Sequence, residues 1–381
     1  MVKALTAAAV AAFTSVAAAA RCQNLTIPVS VSARNGNFKL ANPTNAIDAT
    51  NFALNMARQG HNYTDEILDG YNTVSGDYNI SATYCEPDAG PGNVLQVCTH
   101  GIGFDRSYWD FSYNNYNYSY VRDAVDQHGY STFTWDRLGI GMSSLFQDPI
   151  NEGQLWIETA ALRYLTEGLR NQQIQGISAQ FQKIVHVGHS FGSSQSYALT
   201  AMDPTISDGI VLTGFSQNGT FASQFVLGSN FIIANTNAAL AKYPTGYLAP
   251  SSAVGVHIDF FAPGDFDPQV LQVAYMTGQP VTPGEILTLT GASASPNSFG
   301  GPVLVVTGER DTPYCGGDCL ATGDPSLASI PAASKMFFPN AQNFNASITP
   351  GAGHGLNLQY SHPITYNTIF SYLSQNGLSA Q

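Results

Sequence analysis

The sequence predicts an α/β protein: a doubly wound, mainly parallel sheet with helices on both faces and one large insertion. Three observations predict it. From about residue 77 onward, short apolar runs alternate with helical periodicities, the pattern of strand–helix–strand units. A Gly-x-Ser-x-Gly sequence, Gly188–Gly192, sits between one such run and one such helix. The 84 residues 217–300 break the alternation, where a connection of two to six residues plus one helix is usual.

Composition bounds the function. The 381 residues are 44% apolar and 10% charged, with a formal charge of −12. An acidic chain lacks the basic footprint that nucleic acid needs, and it is repelled by anionic membrane surfaces. With 21 Phe and 19 Tyr, it is too apolar to be disordered.

Met1–Ala20 reads as a secretory signal, with Lys3 ahead of the uncharged, Ala-rich Ala4–Ala20 and small-residue cleavage sites at Val16–Ala20. The stretch is too short and too Ala-rich for a stable membrane anchor. Residues 21–216 and 301–381 then form the two parts of the core. Six sequons, at Asn24, Asn62, Asn79, Asn117, Asn218 and Asn345, permit glycosylation, although chance alone supplies nearly as many. The five cysteines leave one over. Cys85 and Cys98 flank the turn-rich Glu86–Asn93 and could pair across a hairpin. Cys315 and Cys319 enclose Gly316-Gly317-Asp318 and could also pair. No Cys/His cluster offers the ligands of a zinc site, and serine-nucleophile chemistry needs no metal or organic cofactor.

Residues 22–82 are polar, with a helix expected at Ile47–Gln59 and a strand at Asp77–Cys85. Strands follow at Val94–Thr99, Thr132–Trp135, Ile184–Val187, Gly209–Thr213 and Val303–Thr307, and a last short one ends at Ser347–Thr349. Helices are expected at Tyr116–His128, stopped by Gly129, and at Gln154–Arg170, Phe191–Met202 and Leu356–Leu373. The insertion 217–300 is rich in Phe and Tyr and nearly free of charge. It reads as a mainly helical subdomain, or as a lid whose apolar underside lines a pocket.

Ser190 is the candidate nucleophile. A sharp strand-to-helix turn needs small neighbours, here Gly188 and Gly192, to present a hydroxyl at a helix N-terminus. A serine hydroxyl needs a base, and His354 is the best placed of the eight histidines. It lies in the Gly-rich Pro350–Gly355 loop after the last strand. The base needs an acid, and Asp311 follows strand 303–307, with Glu309 as its near rival. The order Ser190, Asp311, His354 is that of one known nucleophile-elbow architecture. Oxyanion donors are expected from the Phe191 N–H and, in the turn His100–Phe104, from the Ile102 N–H, with the Gly103 N–H as second choice. His100 reads as structural.

Five motifs in this order resemble the α/β-hydrolase fold family: His100-Gly101, Asp136-x-x-Gly139-x-Gly141-x-Ser143, Gly188–Gly192, Gly308-x-x-Asp311 and Gly353-His354. The resemblance implies an eight-stranded sheet, with residues 217–300 as the lid and a structural role for the Asp136 loop. The low-charge, Asn- and Tyr-rich composition resembles fungal extracellular hydrolases. The expected function is a secreted serine hydrolase acting on a carboxylic ester, a lactone or a lipid-like ester, with a small-molecule apolar substrate. The alternatives are a lyase, acyltransferase or cyclase using the same residues, or a non-catalytic binding protein. Oligomeric state is not legible in the sequence.

Overall fold

The computed structural model describes residues 20–380. The expected signal, Met1–Ala20, lies outside them except for Ala20. The strands in chain order are β1 (Ala20–Phe38), β2 (Leu68–Pro87), β3 (Val94–Thr99), β4 (Ser131–Trp135), β5 (Lys183–His189), β6 (Gly209–Thr213), β7 (Phe231–Ile233), β8 (Leu248–Pro250), β9 (Val303–Gly308) and β10 (Phe344–Thr349). All except β7 and β8 form one eight-stranded sheet, in the spatial order β1-β2-β4-β3-β5-β6-β9-β10. Its six strands from β4 to β10 pair parallel, whereas β1–β2 and β2–β4 pair antiparallel. The central strands β3, β5, β6 and β9 are almost wholly buried. That explains their continuous apolar runs, because both faces are covered by helices.

Residues 22–82 build a long hairpin that the sequence conceals. β1 and β2 pair from Ala20–Pro87 to Phe38–Leu68, but β2 meets β4 only over Ala82–Cys85. Beyond that point the hairpin leaves the sheet and rests on the helix Leu155–Arg170 and the segment before it. Asn35 Nδ2 donates to the Asn151 and Glu152 carbonyls at 2.9 Å, and the Gly36 N–H donates to Gln154 Oε1 at 2.8 Å. The connection between the strands carries the helix Ala46–Met56, capped by Asn45, which packs against the insertion.

The cysteine pairing corrects one expectation. Cys22 bonds Cys85 across the β1–β2 register, and Cys98 is a free, buried thiol. Cys85 and Cys98 cannot meet, because β4 lies between β2 and β3. Cys315 bonds Cys319. Two helices also differ from their expected spans. Ser119 Oγ accepts the Arg122 N–H, so the Tyr116–His128 region begins its helix only at Tyr120 and continues as a wider turn over Asp123–Gln127. Residues 114–116 before it are left-handed. At the C-terminus a short turn, Leu356–Leu358, precedes the helix His362–Gln375, because Pro363 suits only a first helical turn.

Residues 217–300 contain helices at Ala222–Gly228, Ala253–Phe260, Pro268–Met276 and Pro283–Thr288. They also contain the small antiparallel sheet of β7 and β8. The segment has its own aromatic packing, for example Phe225 against Phe231 and Phe260. Among the described residues, no helix is long and apolar enough to cross a membrane.

Candidate active site

Five chain segments leave the same end of the parallel strands and converge. They follow β3 (the turn 100–104), β4 (136–143), β5 (Ser190), β9 (Asp311) and β10 (His354). This edge is where open α/β sheets place their ligands.

Ser190 has φ 53° and ψ −115°, a left-handed conformation that a non-glycine residue adopts at a cost of about 1–3 kcal/mol. Its N–H donates to the Thr213 carbonyl at 2.9 Å, and Ser193 Oγ donates to the same carbonyl at 2.9 Å, which locks the turn onto β6. Gly192 is required by close approach. A Cβ there would overlap the Thr99 and His100 carbonyl oxygens of the neighbouring β3 end. The turn 100–104 can thus lie directly on the elbow.

His354 Nε2 is 2.9 Å from Ser190 Oγ, and His354 Nδ1 is 2.7 Å from Asp311 Oδ2. Asp311 is itself fixed. Thr307 Oγ1 donates to Oδ2 at 2.5 Å, and the Tyr314 N–H donates to Oδ1 at 2.8 Å. Glu309, the rival acid, instead accepts the Gly351 N–H at 3.0 Å. Gly308 lets the two loops touch, since a Cβ there would meet the Ala352 and Gly353 carbonyls. Both His354 and Asp311 are buried. A carboxylate on Nδ1 leaves Nε2 free to accept the serine proton.

The other histidines have different settings. His186, in the interior of β5, contacts Thr166 Oγ1 and Ser207 Oγ, and burial holds its pKa down at about 3. His189 stacks on Tyr108 at 4.3 Å with its ring 5.0 Å from His354. Burial first, and the His354 charge second, hold it well below the ordinary imidazole range. His100 bonds its own turn. Its Nδ1–H donates to the Gly101 carbonyl at 2.8 Å and its Nε2 accepts the Arg137 N–H at 3.1 Å. Burial and the Arg137 charge keep it neutral.

Ile102 and Ser190 share one cavity with Asn218, Ala222, Phe225, Leu289 and Tyr314. Its free volume is about 20 Å³, room for about one water molecule. Among the described residues, neither the Ile102 nor the Phe191 N–H donates to a protein acceptor. Asp136 ties the β4 loop together. It pairs with Arg106 and accepts the Met142 N–H at 2.8 Å, while its carbonyl accepts from Ser143 Oγ at 2.7 Å. Five sequon asparagines, Asn24, Asn62, Asn79, Asn117 and Asn345, are exposed, and Asn218 is half-buried at the cavity.

Sequence reasoning missed three contributors: Tyr314 at the cavity wall, Phe260 with its ring 5.7 Å from His354, and a buried Arg137–Glu158–Glu285 cluster. Tyr314 follows Asp311 by three residues, so its place was inferable. Phe260 and Glu285 come from the insertion, and no local pattern announces them.

The profile of the Alpha/beta hydrolase family matches residues 96–366. The chain belongs to this family. The hydrolase fold is shared with solved structures at low identity. An enol-lactonase from Burkholderia xenovorans superposes with a TM-score of 0.52 at 15% identity, covering 78% of this chain and 97% of that one. A thermophilic esterase from Thermogutta terrifontis gives a TM-score of 0.51 at 14% identity, covering 79% and 94%. At such identities the likeness establishes the fold alone. No curated protein matches this sequence. Among the described residues, no group of three or more His, Cys, Asp or Glu side chains is placed to hold a metal ion.

Proposed function

We propose that this hydrolase is a secreted serine esterase that cleaves a small apolar carboxylic ester or lactone. The observation that carries the reading is the continuous chain from Ser190 Oγ to His354 to Asp311, at 2.9 and 2.7 Å. Ser190 attacks the carbonyl carbon while His354 Nε2 takes its proton. Asp311 holds the imidazole tautomer and stabilises the imidazolium. The Phe191 and Ile102 amides receive the oxyanion. His354 returns the proton to the leaving alcohol, and water then hydrolyses the acyl-enzyme by the same steps in reverse.

The apolar cavity walls Ile102, Ala222, Phe225 and Leu289 support an apolar substrate group. Residues 217–300 act as a lid. They supply much of the wall, and a cavity of about 20 Å³ admits substrate only when that wall moves. Secretion is supported by the two disulfides, which persist in oxidising compartments. The exposed sequons are then glycosylation sites. The same small, apolar cavity also favours a second reading, acyl transfer to an alcohol in place of water.

The test is hydrolysis of a chain-length series of p-nitrophenyl esters by the wild type and by Ser190→Ala. Loss in the variant and covalent labelling of Ser190 by a fluorophosphonate support the esterase. A folded wild type that neither hydrolyses nor is labelled overturns it. Product analysis with added alcohols separates hydrolysis from transfer.

A further inference from the structure

Three charged side chains are buried directly behind the nucleophile elbow. Arg137 and Glu158 are fully buried and Glu285 is 1% exposed. Arg137 Nη1 donates to Glu158 Oε2 at 2.6 Å and also to Glu285 Oε1. Gln195 Nε2, from the helix that follows Ser190, donates to Glu158 Oε2 at 2.8 Å. Burying such a cluster is costly. Apolar replacement of buried ion pairs is often neutral or stabilising, so stability alone is a weak account of it.

The contacts of Arg137 point elsewhere. Its guanidinium lies over the Phe191 ring, 4.8 Å from the centroid. Its Nη2 donates a long, 3.5 Å bond to the Gly101 carbonyl, and its backbone N–H holds His100. Phe191 and the His100–Ile102 turn are the two segments whose amides would receive the oxyanion. No other side chain touches both by hydrogen bond or cation–π contact among the described residues. Glu285 adds a third tie. It caps the insertion helix Pro283–Thr288, with Oε2 accepting the Thr282 N–H at 2.6 Å, while Oε1 grips Arg137.

We propose that Arg137 is the positioning residue of the oxyanion site, holding the Phe191 and Ile102 amides in register and tying that register to the insertion through Glu285. The inference rests on the serine-esterase reading. The physical reason is geometric. Two amides stabilise an oxyanion only when both lie about 2.7–3.1 Å from one point. They come from separate loops, so their relative placement must be imposed from behind. A planar guanidinium carries five donors in a fixed fork, so it can lie over the ring, bond the Gly101 carbonyl and hold both carboxylates at once, whereas a lysine ammonium has three donors on a flexible stem and cannot keep all four contacts.

The test uses Arg137→Lys and Glu285→Gln. The amide introduced by Glu285→Gln keeps an oxygen for the Thr282 N–H but turns an NH₂ group toward Arg137, so the cap survives and the clamp does not. Each variant is assayed with a p-nitrophenyl ester and with a trifluoromethyl ketone of the same acyl chain, which binds through an oxyanion on Ser190. The expected result is a kcat about 10–100-fold lower, KM within about threefold, and ketone inhibition weakened in parallel with kcat, the scale of an impaired oxyanion donor. Far-UV circular dichroism and thermal melts establish which variants are folded; Arg137→Lys keeps a positive charge between the two carboxylates, and Glu285→Gln leaves Arg137 paired with Glu158. Folded variants with lower Tm but unchanged kcat and ketone affinity would overturn the inference while leaving the esterase reading intact. A wild type that is neither active nor labelled at Ser190 would remove both.

Discussion

Replacing Asp311 by asparagine changes one atom in kind and almost nothing in shape, yet the site dictates which way the amide must face. Oδ1 accepts the Tyr314 N–H at 2.8 Å, a donor that cannot turn away because it belongs to the backbone of the Thr312–Cys315 turn. The asparagine oxygen is therefore held at that position. Its NH₂ group then occupies the place of Oδ2, 2.7 Å from His354 Nδ1 and 2.5 Å from Thr307 Oγ1. The threonine hydroxyl can rotate to accept. His354 Nδ1 can accept only as the tautomer whose proton sits on Nε2, facing Ser190. That tautomer cannot take the serine proton. The opposite amide orientation would set NH₂ against the Tyr314 N–H and leave a buried donor unsatisfied, at about 1–3 kcal/mol. The same substitution in a serine-protease triad lowers kcat by about 10⁴ through the same tautomer fault. Asp311→Asn should therefore lose about 10⁴-fold in kcat, or about 5 kcal/mol of transition-state stabilisation. Ester kinetics and the rate of fluorophosphonate labelling should fall together, with Tm close to that of the wild type. A loss below tenfold in a folded variant would refute the tautomer argument.

Two further outcomes follow from the buried groups. The unfolded chain protonates His186 near 6.5, while in the fold it stays neutral down to about 3. Over that range the unfolded state holds more protons, so stability falls as pH falls, by up to about 1.4 kcal/mol per pH unit for this one residue. The change in urea stability between pH 7 and pH 5 sums this contribution with those of His100 and His189, which burial holds neutral in the same way, so His186→Asn should reduce the slope by this one residue's share while lowering stability at pH 7. An unchanged slope would reject the assignment. Thiol titration of the unreduced protein should find no reactive thiol when folded and one, Cys98, when denatured. Cys22→Ser should release a second from Cys85 and lower stability by about 2–4 kcal/mol; two thiols in the denatured wild type would contradict the pairing.

Much of the parallel sheet was legible because buried strands are written as compact apolar runs. β3 and β6 begin and end where Val94–Thr99 and Gly209–Thr213 do in the sequence. The segments bearing Ser190, Asp311 and His354 were legible for a related reason. Each lies at a strand end, where glycines mark backbone that must pass close to a neighbour. The N-terminal hairpin was not legible. Leu25, Ile27, Val29 and Val31 do alternate with polar residues, but Pro28 and the Ser- and Asn-rich partner strand disguise the pattern. Much of the far half of the hairpin is solvated, so polar residues stand where a core strand would carry apolar ones.

The order of residues along the chain determined the α/β class, the elbow at Ser190 and the loops that carry Asp311 and His354, since each follows from local sterics and periodicity. Tertiary structure alone decided the partners that are far apart in sequence. Cys85 faces Cys22 rather than Cys98 because β4 takes the place between β2 and β3. Arg137 meets Glu285 across 148 positions because the insertion folds back over the strand ends. Strand order and the return of an insertion depend on which apolar surfaces bury one another, and that is a property of the whole chain.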